Sequence, residues 1–450
     1  MFFFTVFYYD IHETVSKGPT YGIQYCGMDI SSPTLADDTL LLSHTVNGLQ
    51  QMMNNVSNFG KNWRISFSCS KTKCITFGES KFKNAQNIQS RCWYLNNSKI
   101  EEVTHYSHLG ITLCSFQNST VRTNEMCKKG FSILGMLKSI GCHSQGLSPL
   151  TCSILWQRLC IPSMLYGAET WYHLSKVENN QLERVQKSIA KHIQGLNKRT
   201  HDEICRGLLG WHSISTLIDR IKLYFICKLV NVEPASIVKH VFLHQLYKLL
   251  FDGNRHLCIT TDLVKTLSKY HLKDYLFNYM IGGSFLNKRE WKAVVKHKVQ
   301  NLEESQWRQG LLSKKCYRFC NVHPLLEPNL CHVIAKKSVF LRFKLLNLVK
   351  LLAYPEYIDP VICHLCNDTL SDVVEHFILR CSYFIQIRQD MWDYLLNNID
   401  IKYESDIFNR PDNDILELLL GKKWNKIENV QEQYEFIKRS AESLWNILQI

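Results

Sequence analysis

The stretch that most restricts how this chain can fold lies towards its end: "CHLCNDTLSDVVEHFILRC", residues 363–381. It spaces Cys363, Cys366, His376 and Cys381 as C-x2-C-x9-H-x4-C. A CxxC turn presents two thiolates to one ion, and four nitrogen or sulfur ligands satisfy tetrahedral Zn²⁺. "DVVEHFILRC" reads as a helix carrying His376, with Cys381 at or just beyond its last turn, so ligands converge from a turn and a helix. A redox CxxC needs a thioredoxin-like βαβ context, which is absent here. With four ligands and no vacancy the site is expected to be structural, its metal holding together about 25 residues that bury little core of their own. A second group, Cys316, Cys320, His323, Cys331 and His332, reads better as buried thiols and ordinary histidines.

The other cysteines of the 18 are scattered, without a disulfide-scaffold spacing. "MFFFTVFYY" at the start is apolar and β-prone, but it lacks a basic lead and is followed at once by Asp10, His12 and Glu13, unlike a secretion signal. No apolar run approaches the roughly 18–20 residues that a membrane span needs. The expectation is therefore a nuclear or cytoplasmic protein with reduced thiols and no membrane partner. At 450 residues, 45% hydrophobic and 21% charged, the chain has the make-up of two or three globular domains rather than of a disordered protein. Its net charge of +13 points to a polyanionic partner, most often nucleic acid.

Periodicity predicts an α+β chain. In the first 115 residues, Gly22 and Gly27 flank a strand-like stretch. Helical spacing then runs through Val46, Leu49, Met52 or Met53, Val56 and Phe59, with Gly60 expected to end that helix. "WRISFSCSKTKCITF" alternates as a strand with one wet face, and "HYSHLGITL" reads as a short strand broken at Gly110. From about residue 120 to 350 the pattern is mainly helical and is punctuated by Pro149, Pro162 and Pro234. "QLERVQKSIAKHIQGL" there lines up Leu182, Val185, Ile189 and Ile193 on one face. The proline-rich loop 355–366 marks the next boundary.

"SSPTLADDTLLLS" sets Asp37 and Asp38 side by side in what reads as a hairpin. Neighbouring carboxylates repel, so a tight turn that positions them has reason to recruit a cation. Mg²⁺ accepts carboxylate oxygens and leaves room for substrate phosphates, and two such ions can stabilise both oxygens of a nucleotidyl transfer. An Asp-Asp pair is also common in plain surface turns, so the surroundings decide.

Those surroundings resemble the reverse transcriptases of non-LTR (LINE-type) retrotransposons. "LADDTLLLS" is similar to their motif C, "ISFSCSKTK" to the motif D region, and "YSHLG" to the primer-grip segment. "IPSMLYGAETW", Ile161–Trp171, resembles the Pro-x-x-x-Tyr-Gly-x-Glu-x-Trp stretch of their thumb and is the most specific of the four. The C-x2-C…H-x4-C arrangement also follows the polymerase in many of these elements. Leu35 departs from the aromatic residue usual before Ala-Asp-Asp.

The resemblance implies a partial palm over 1–115, a helical thumb over 116–235 and a helical connector over 236–355. A CCHC zinc knuckle over 356–390 and a helical tail over 391–450 would complete the chain. It implies RNA-directed DNA synthesis from dNTPs with Mg²⁺ at Asp37 and Asp38, and Lys71 or Lys73 as general acid to pyrophosphate. A palm site also needs a third carboxylate on a neighbouring strand. Only Asp10 and Asp29 are aspartates upstream of the pair, and nothing before Asp37 reads as motif B. The chain is thus expected to be a C-terminal portion, catalytically incomplete alone; a non-enzymatic binding module or a retroelement relic are the alternatives.

Two basic stretches suit an RNA template or an RNA–DNA duplex. Residues 285–320 hold nine Lys/Arg against three Glu, and residues 181–230 nine against four acids. Lys71, Lys73, Lys198, Arg199, Lys288, Arg289 and Lys292 are the expected contacts. Trp291, Trp307, Tyr317 and Phe319 are interleaved with the first of these stretches, but Trp291, Val294, Val295 and Val299 fall near helical spacing, so some of the aromatics read as core.

Overall fold

In a computed structural model, residues 10–15, 21–78, 91–115, 120–194, 196, 202–251, 258–312, 362–369, 375–398 and 409–419 are described, apart from positions 26, 144, 145, 148, 173, 208 and 364. The protein is mainly helical with small sheets, a mixed α+β class. It divides into two compact units that interleave along the chain. The first takes Met1–Thr123, Tyr166–Leu174 and Lys222–Trp291; the second takes Asn124–Leu165, Ser175–Ile221 and Lys292–Ile450.

In the first unit residues 10–15 are helical, and two hairpins follow them in the chain. Strands β1 (Gln24–Tyr25) and β2 (Met28–Asp29) form one, and β3 (Thr34–Leu35) and β4 (Asp38–Thr39) the other. Helix α1 (Val46–Trp63) follows, with Thr45 as N-cap accepting from the Gly48 N–H at 3.0 Å. Met52, Met53, Val56 and Phe59 of α1 are buried with Ile11, Val15, Cys74, Trp93, Leu95 and Ile100 in one core. That core is the helical stripe read from the sequence, closed by a three-stranded sheet. The sheet runs β5 (Lys73–Cys74), β7 (Ser98–Glu102), β6 (Trp93–Leu95) in spatial order.

Three local expectations change. Gly60 does not end α1; the helix continues to Trp63 and turns at Arg64 (φ 56°), whose N–H bonds the Gly60 carbonyl. Gly60 is instead a point of close approach. A Cβ there would lie 2.7 Å from the Ile65 carbonyl oxygen and 3.2 Å from the Phe67 ring, so the chain can fold back over the helix end only at glycine. The strand expected over 65–69 carries the predicted alternation of exposure, with Ile65, Phe67 and Cys69 half-buried and Ser66, Ser68 and Ser70 exposed. It has no ladder of its own among the described residues. A turn closed by the Thr72 N–H on the Ser68 carbonyl at 3.0 Å confines pairing to Lys73–Cys74, parallel to Glu101–Glu102.

"HYSHLGITL" forms not one broken strand but a hairpin, β8 (His105–His108) and β9 (Ile111–Cys114). Leu109 (φ 50°) and Gly110 (φ 77°) fill its two-residue turn. Positive φ at both positions matches the right-handed twist of the paired strands.

The remaining helices are α2 (Thr120–Ser139), α3 (Pro149–Leu155), α4 (Ile161–Met164), α5 (Lys176–Gln194), α6 (Asp202–Gly207), α7 (Ile214–Asn231), α8 (Ile237–Phe251), α9 (Ile259–Lys269), α10 (Lys273–Met280), α11 (Lys288–Leu312), α12 (Ile385–Asn398) and α13 (Asp412–Leu419). In the second unit α5 buries Leu182, Val185, Ile189 and Ile193, as its spacing predicts. Gly130 of α2 lets that helix close on Val185 and Met164, where a Cβ would meet atoms at 2.7 and 3.0 Å. The Trp156 and Trp211 rings stack 5.6 Å apart, and the Trp211 indole N–H donates to Ser153 Oγ. No described helix is long and apolar enough to cross a membrane. "MFFFTVFYY", the group Cys316–His332 and the loop 355–361 lie outside the described residues.

Candidate metal centre and the basic faces

The Cys/His cluster is built from a turn and a π-turn. Ile362 and Thr369 bridge across the base of the turn, the Cys363 N–H bonds the Asp368 carbonyl at 2.9 Å, and Asn367 takes a positive φ of 62°. That geometry folds Cys363 and Cys366 to the same side. On the second arm, residues 376–380 form a π-helical turn closed by the Cys381 N–H on the His376 carbonyl at 2.6 Å. In an α-helix, positions five apart sit about 140° from each other around the axis. The wider turn brings His376 and Cys381 back onto one side, a use of π geometry common at functional sites.

The ligand atoms of Cys363, Cys366, His376 and Cys381 all lie within 4.8 Å of one another. Cys363 Sγ and Cys381 Sγ are 4.0 Å apart, and Cys366 Sγ is 3.2 Å from His376 Nε2. Tetrahedral zinc at ordinary bond lengths sets sulfurs ~3.8 Å apart and sulfur and nitrogen ~3.5 Å apart. These two separations lie near the tetrahedral values, and no ligand atom is more than 4.8 Å from another. Cys363, His376 and Cys381 are buried, and Cys366 is half-buried.

The electrostatics of the cluster are divided. Burial pushes the Cys363 thiol up, but the N–H groups of Leu365 and Cys366 and the Cys366 and Cys381 side chains outweigh it and leave it below the usual thiol range. Burial, joined by the Asp368, Cys363 and Cys381 side chains, pushes Cys366 up to about 12. Burial also raises Cys381 and lowers His376, which favours a neutral imidazole able to ligate. Arg388 of α12 is buried beside this set, and its Nη1 has no hydrogen-bond partner. A buried cation with an unpartnered donor, within electrostatic reach of Cys381, fits a site whose thiols are deprotonated by a metal. These residues can hold a metal ion with three sulfurs and one nitrogen.

Around the centre, Phe377 and Phe384 pack 6.0 Å apart. Arg380 joins α13 to the π-turn by pairing with Asp412 and, at 2.9 Å, with Glu375.

The other expected site residues are placed as follows. Asp37 occupies the β3–β4 turn beside Ala36 (φ 54°), and Asp38 pairs with Leu35; both carboxylates are exposed. Among the described residues no group of three or more Cys, His, Asp or Glu ligands forms around them. Asp10 lies on the helical turn 10–15 and is exposed, and Asp29 Oδ1 accepts from the Ser31 N–H at 2.8 Å. Lys71 is exposed, whereas Lys73 is paired with Glu101 at 2.7 Å.

Lys288, Arg289 and Lys292 are exposed on the first turns of α11, whose start is fixed by a capping box. Asn287 Oδ1 accepts from the Glu290 N–H at 3.0 Å, and Glu290 Oε2 accepts from the Asn287 N–H at 3.1 Å. Trp291 and Trp307 are buried, with their indole N–H groups on the Leu223 and Glu203 carbonyls, so they are core residues. Lys198 and Arg199 lie outside the described residues.

The segments "YSHLG" and "IPSMLYGAETW" meet in space. A Cβ at Gly110 would lie 3.1 Å from the Tyr166 ring, and one at Gly167 (φ 72°) would lie 3.1 Å from Ile111 Cγ1. Arg388 was not singled out from the sequence. An isolated Arg on a helix carries no sign of burial, and only its position one turn after Phe384 hints at an inward face. A scan against protein-family models gives no match, and a search of the curated proteins finds no relative.

Proposed function

We propose that this chain is a nucleic-acid-binding portion of a non-LTR-type reverse transcriptase, stabilised by a structural zinc knuckle. The reading is carried by the contact between the Leu109-Gly110 hairpin and the Tyr166-Gly167 turn, which joins two of the segments that resemble the family. The Asp37–Asp38 hairpin then corresponds to motif C, and Lys71 to the motif D lysine, its neighbour Lys73 being taken by Glu101. Polymerisation needs a third carboxylate beside Asp37 and Asp38, and none of the described residues supplies it. The chain alone therefore binds an RNA template or RNA–DNA duplex without extending a primer.

Lys288, Arg289 and Lys292 form the exposed cationic start of α11 and, with the +13 net charge, supply the phosphate contacts. Cys363, Cys366, His376 and Cys381 hold Zn²⁺, which supplies cross-linking of the turn to the π-turn rather than chemistry.

The test is fluorescence anisotropy of the purified chain on an RNA–DNA duplex between about 50 and 200 mM salt. Affinity is expected to fall steeply and alike for unrelated sequences, and a Lys288→Gln/Arg289→Gln/Lys292→Gln variant to bind more weakly with a shallower slope. No binding at low salt removes the proposal. Asp37-dependent primer extension with dNTPs and Mg²⁺ would overturn its non-catalytic part.

A further inference from the structure

The zinc centre has an unassigned neighbour. Arg388 is only 8% exposed, on the α12 face that also buries Met391. Burying a guanidinium is costly unless charge and hydrogen bonds compensate it, yet its Nη1 is enclosed without a partner. The other arginine of the knuckle behaves differently: Arg380 is 61% exposed and takes both Glu375 and Asp412. No carboxylate is paired with Arg388 in the described structure, and α12 packs against the π-turn that begins at His376 and leads into Cys381. Cys381 and His376 are its electrostatic neighbours there.

A divalent ion held by three thiolates and a neutral imidazole carries one net negative charge. Most of that charge would sit on sulfurs that are buried here, Cys363 and Cys381 among them. The two anomalies resolve each other. The orphaned cation lacks an anion, and the metal-loaded cluster lacks a counter-charge.

We infer that Arg388 is the built-in counter-charge of the centre, supplying positive charge to the thiolate set through Cys381. This rests on the zinc reading above. Arg388 then acts through the ligands rather than as one of them. Together with the divalent ion, three thiolates and one imidazole, it makes a neutral unit, and it raises affinity for a thiophilic divalent ion. Outer partners of this kind are typically worth about 10–100-fold in metal affinity.

The experiment uses the full chain as wild type, Arg388→Met, Arg388→Lys, Arg388→Gln and Arg380→Met, with Zn²⁺ titrated against a chromogenic chelator. Co²⁺ absorption serves as a separate report on the ligand set. Arg388→Met is expected to bind Zn²⁺ about 10–100-fold more weakly while keeping the tetrahedral Co²⁺ spectrum. Arg388→Lys should stay close to wild type and Arg380→Met should be unchanged. In the zinc-loaded form, Arg388→Met should also be alkylated faster at Cys381, because a thiolate that loses a neighbouring positive charge becomes a better nucleophile.

Wild-type affinity in Arg388→Met overturns the inference, and so does an Arg388→Lys variant as weak as Arg388→Met. If Arg388→Met gives no Co²⁺ spectrum, the Lys and Gln variants decide: tight Lys with weak Gln supports the charge role, and equal affinities refute it. A wild-type chain that takes up neither Zn²⁺ nor Co²⁺ is a different failure, that of the zinc reading itself.

Discussion

Replacing Glu303 is expected to cause one of the largest losses of stability available to a single substitution in the second unit. Its carboxylate, on α11, is 6% exposed. It accepts from Arg206 Nη1 at 2.7 Å, from the Ser213 N–H at 3.0 Å, from Ser213 Oγ at 3.3 Å and from Thr216 Oγ1. Ser213 in turn caps α7 by accepting from the Thr216 N–H at 3.1 Å. One side chain thus ties α6, α7 and α11 together.

Glu303→Ala strands Arg206 (16% exposed) and the α7 cap together, so the cost expected for breaking a buried pair is about 3–5 kcal/mol. Glu303→Gln keeps the volume and part of the hydrogen bonding and should cost about 1.5–3 kcal/mol. Arg206→Met should cost clearly less in the Glu303→Gln background than in wild type, because the pair is already broken. Burial pushes the Glu303 carboxyl up, but Arg206, the Thr216 hydroxyl, the Ser213 N–H and His212 outweigh it and hold it below its ordinary 4.5. A carboxyl depressed in the folded state contributes stability that is present above the unfolded value and is lost as pH falls through the folded one. Wild type should therefore lose this contribution on acidification below about pH 4.5, and Glu303→Gln should not. The assay is urea unfolding followed by tryptophan fluorescence at pH 7 and at pH 4. An Ala variant within about 1 kcal/mol of wild type would refute the argument.

Chelation of the metal, or Cys363→Ser, should abolish a one-to-one zinc content and raise hydrogen exchange across 375–398 while α5 keeps its protection; zinc analysis with exchange mass spectrometry checks both. His212 is held down to about 4, by burial first and then by Arg220. Wild-type stability should thus fall by up to about 3 kcal/mol as pH drops from about 6.5 to 4, and His212→Gln should remove that slope in acid titration of the urea midpoint. Gly135→Ala in α2 meets nothing within 4 Å and should stabilise by ~0.5–1 kcal/mol in the same assay. Gly167→Ala should instead cost about 1–2 kcal/mol, since φ is +72° and Ile111 Cγ1 stands 3.1 Å from the added carbon.

Much of the local structure was legible in the sequence, because it depends on periodicity and on turn residues. The apolar spacing of α1 and α5, the Asp-Asp hairpin and the spacing of the Cys/His group are all properties of short windows; the two helices and the hairpin form, and the four side chains converge as a group that could hold a metal ion. The errors have local causes of another kind. Gly60 looks like a helix stop, but its missing Cβ serves the return of the chain over α1. The wet-faced alternation at 65–69 says which side chains are half-buried, not whether a partner strand lies beside them. "HYSHLGITL" contains its own partner, because two consecutive positive-φ positions make a turn where one would make a break.

What only the tertiary structure decides is which distant groups share one environment. Sequence spacing shows that Cys363, Cys366, His376 and Cys381 could converge, and the π-turn determines that they do. Nothing in the sequence pairs Arg388 with that cluster, or Glu303 with Arg206 across nearly a hundred residues. A buried charge is recognised by what surrounds it after folding, when loss of water makes each missing partner costly. For the same reason the interleaving of the two units follows from packing, while the helices and hairpins they are made from follow from the sequence itself.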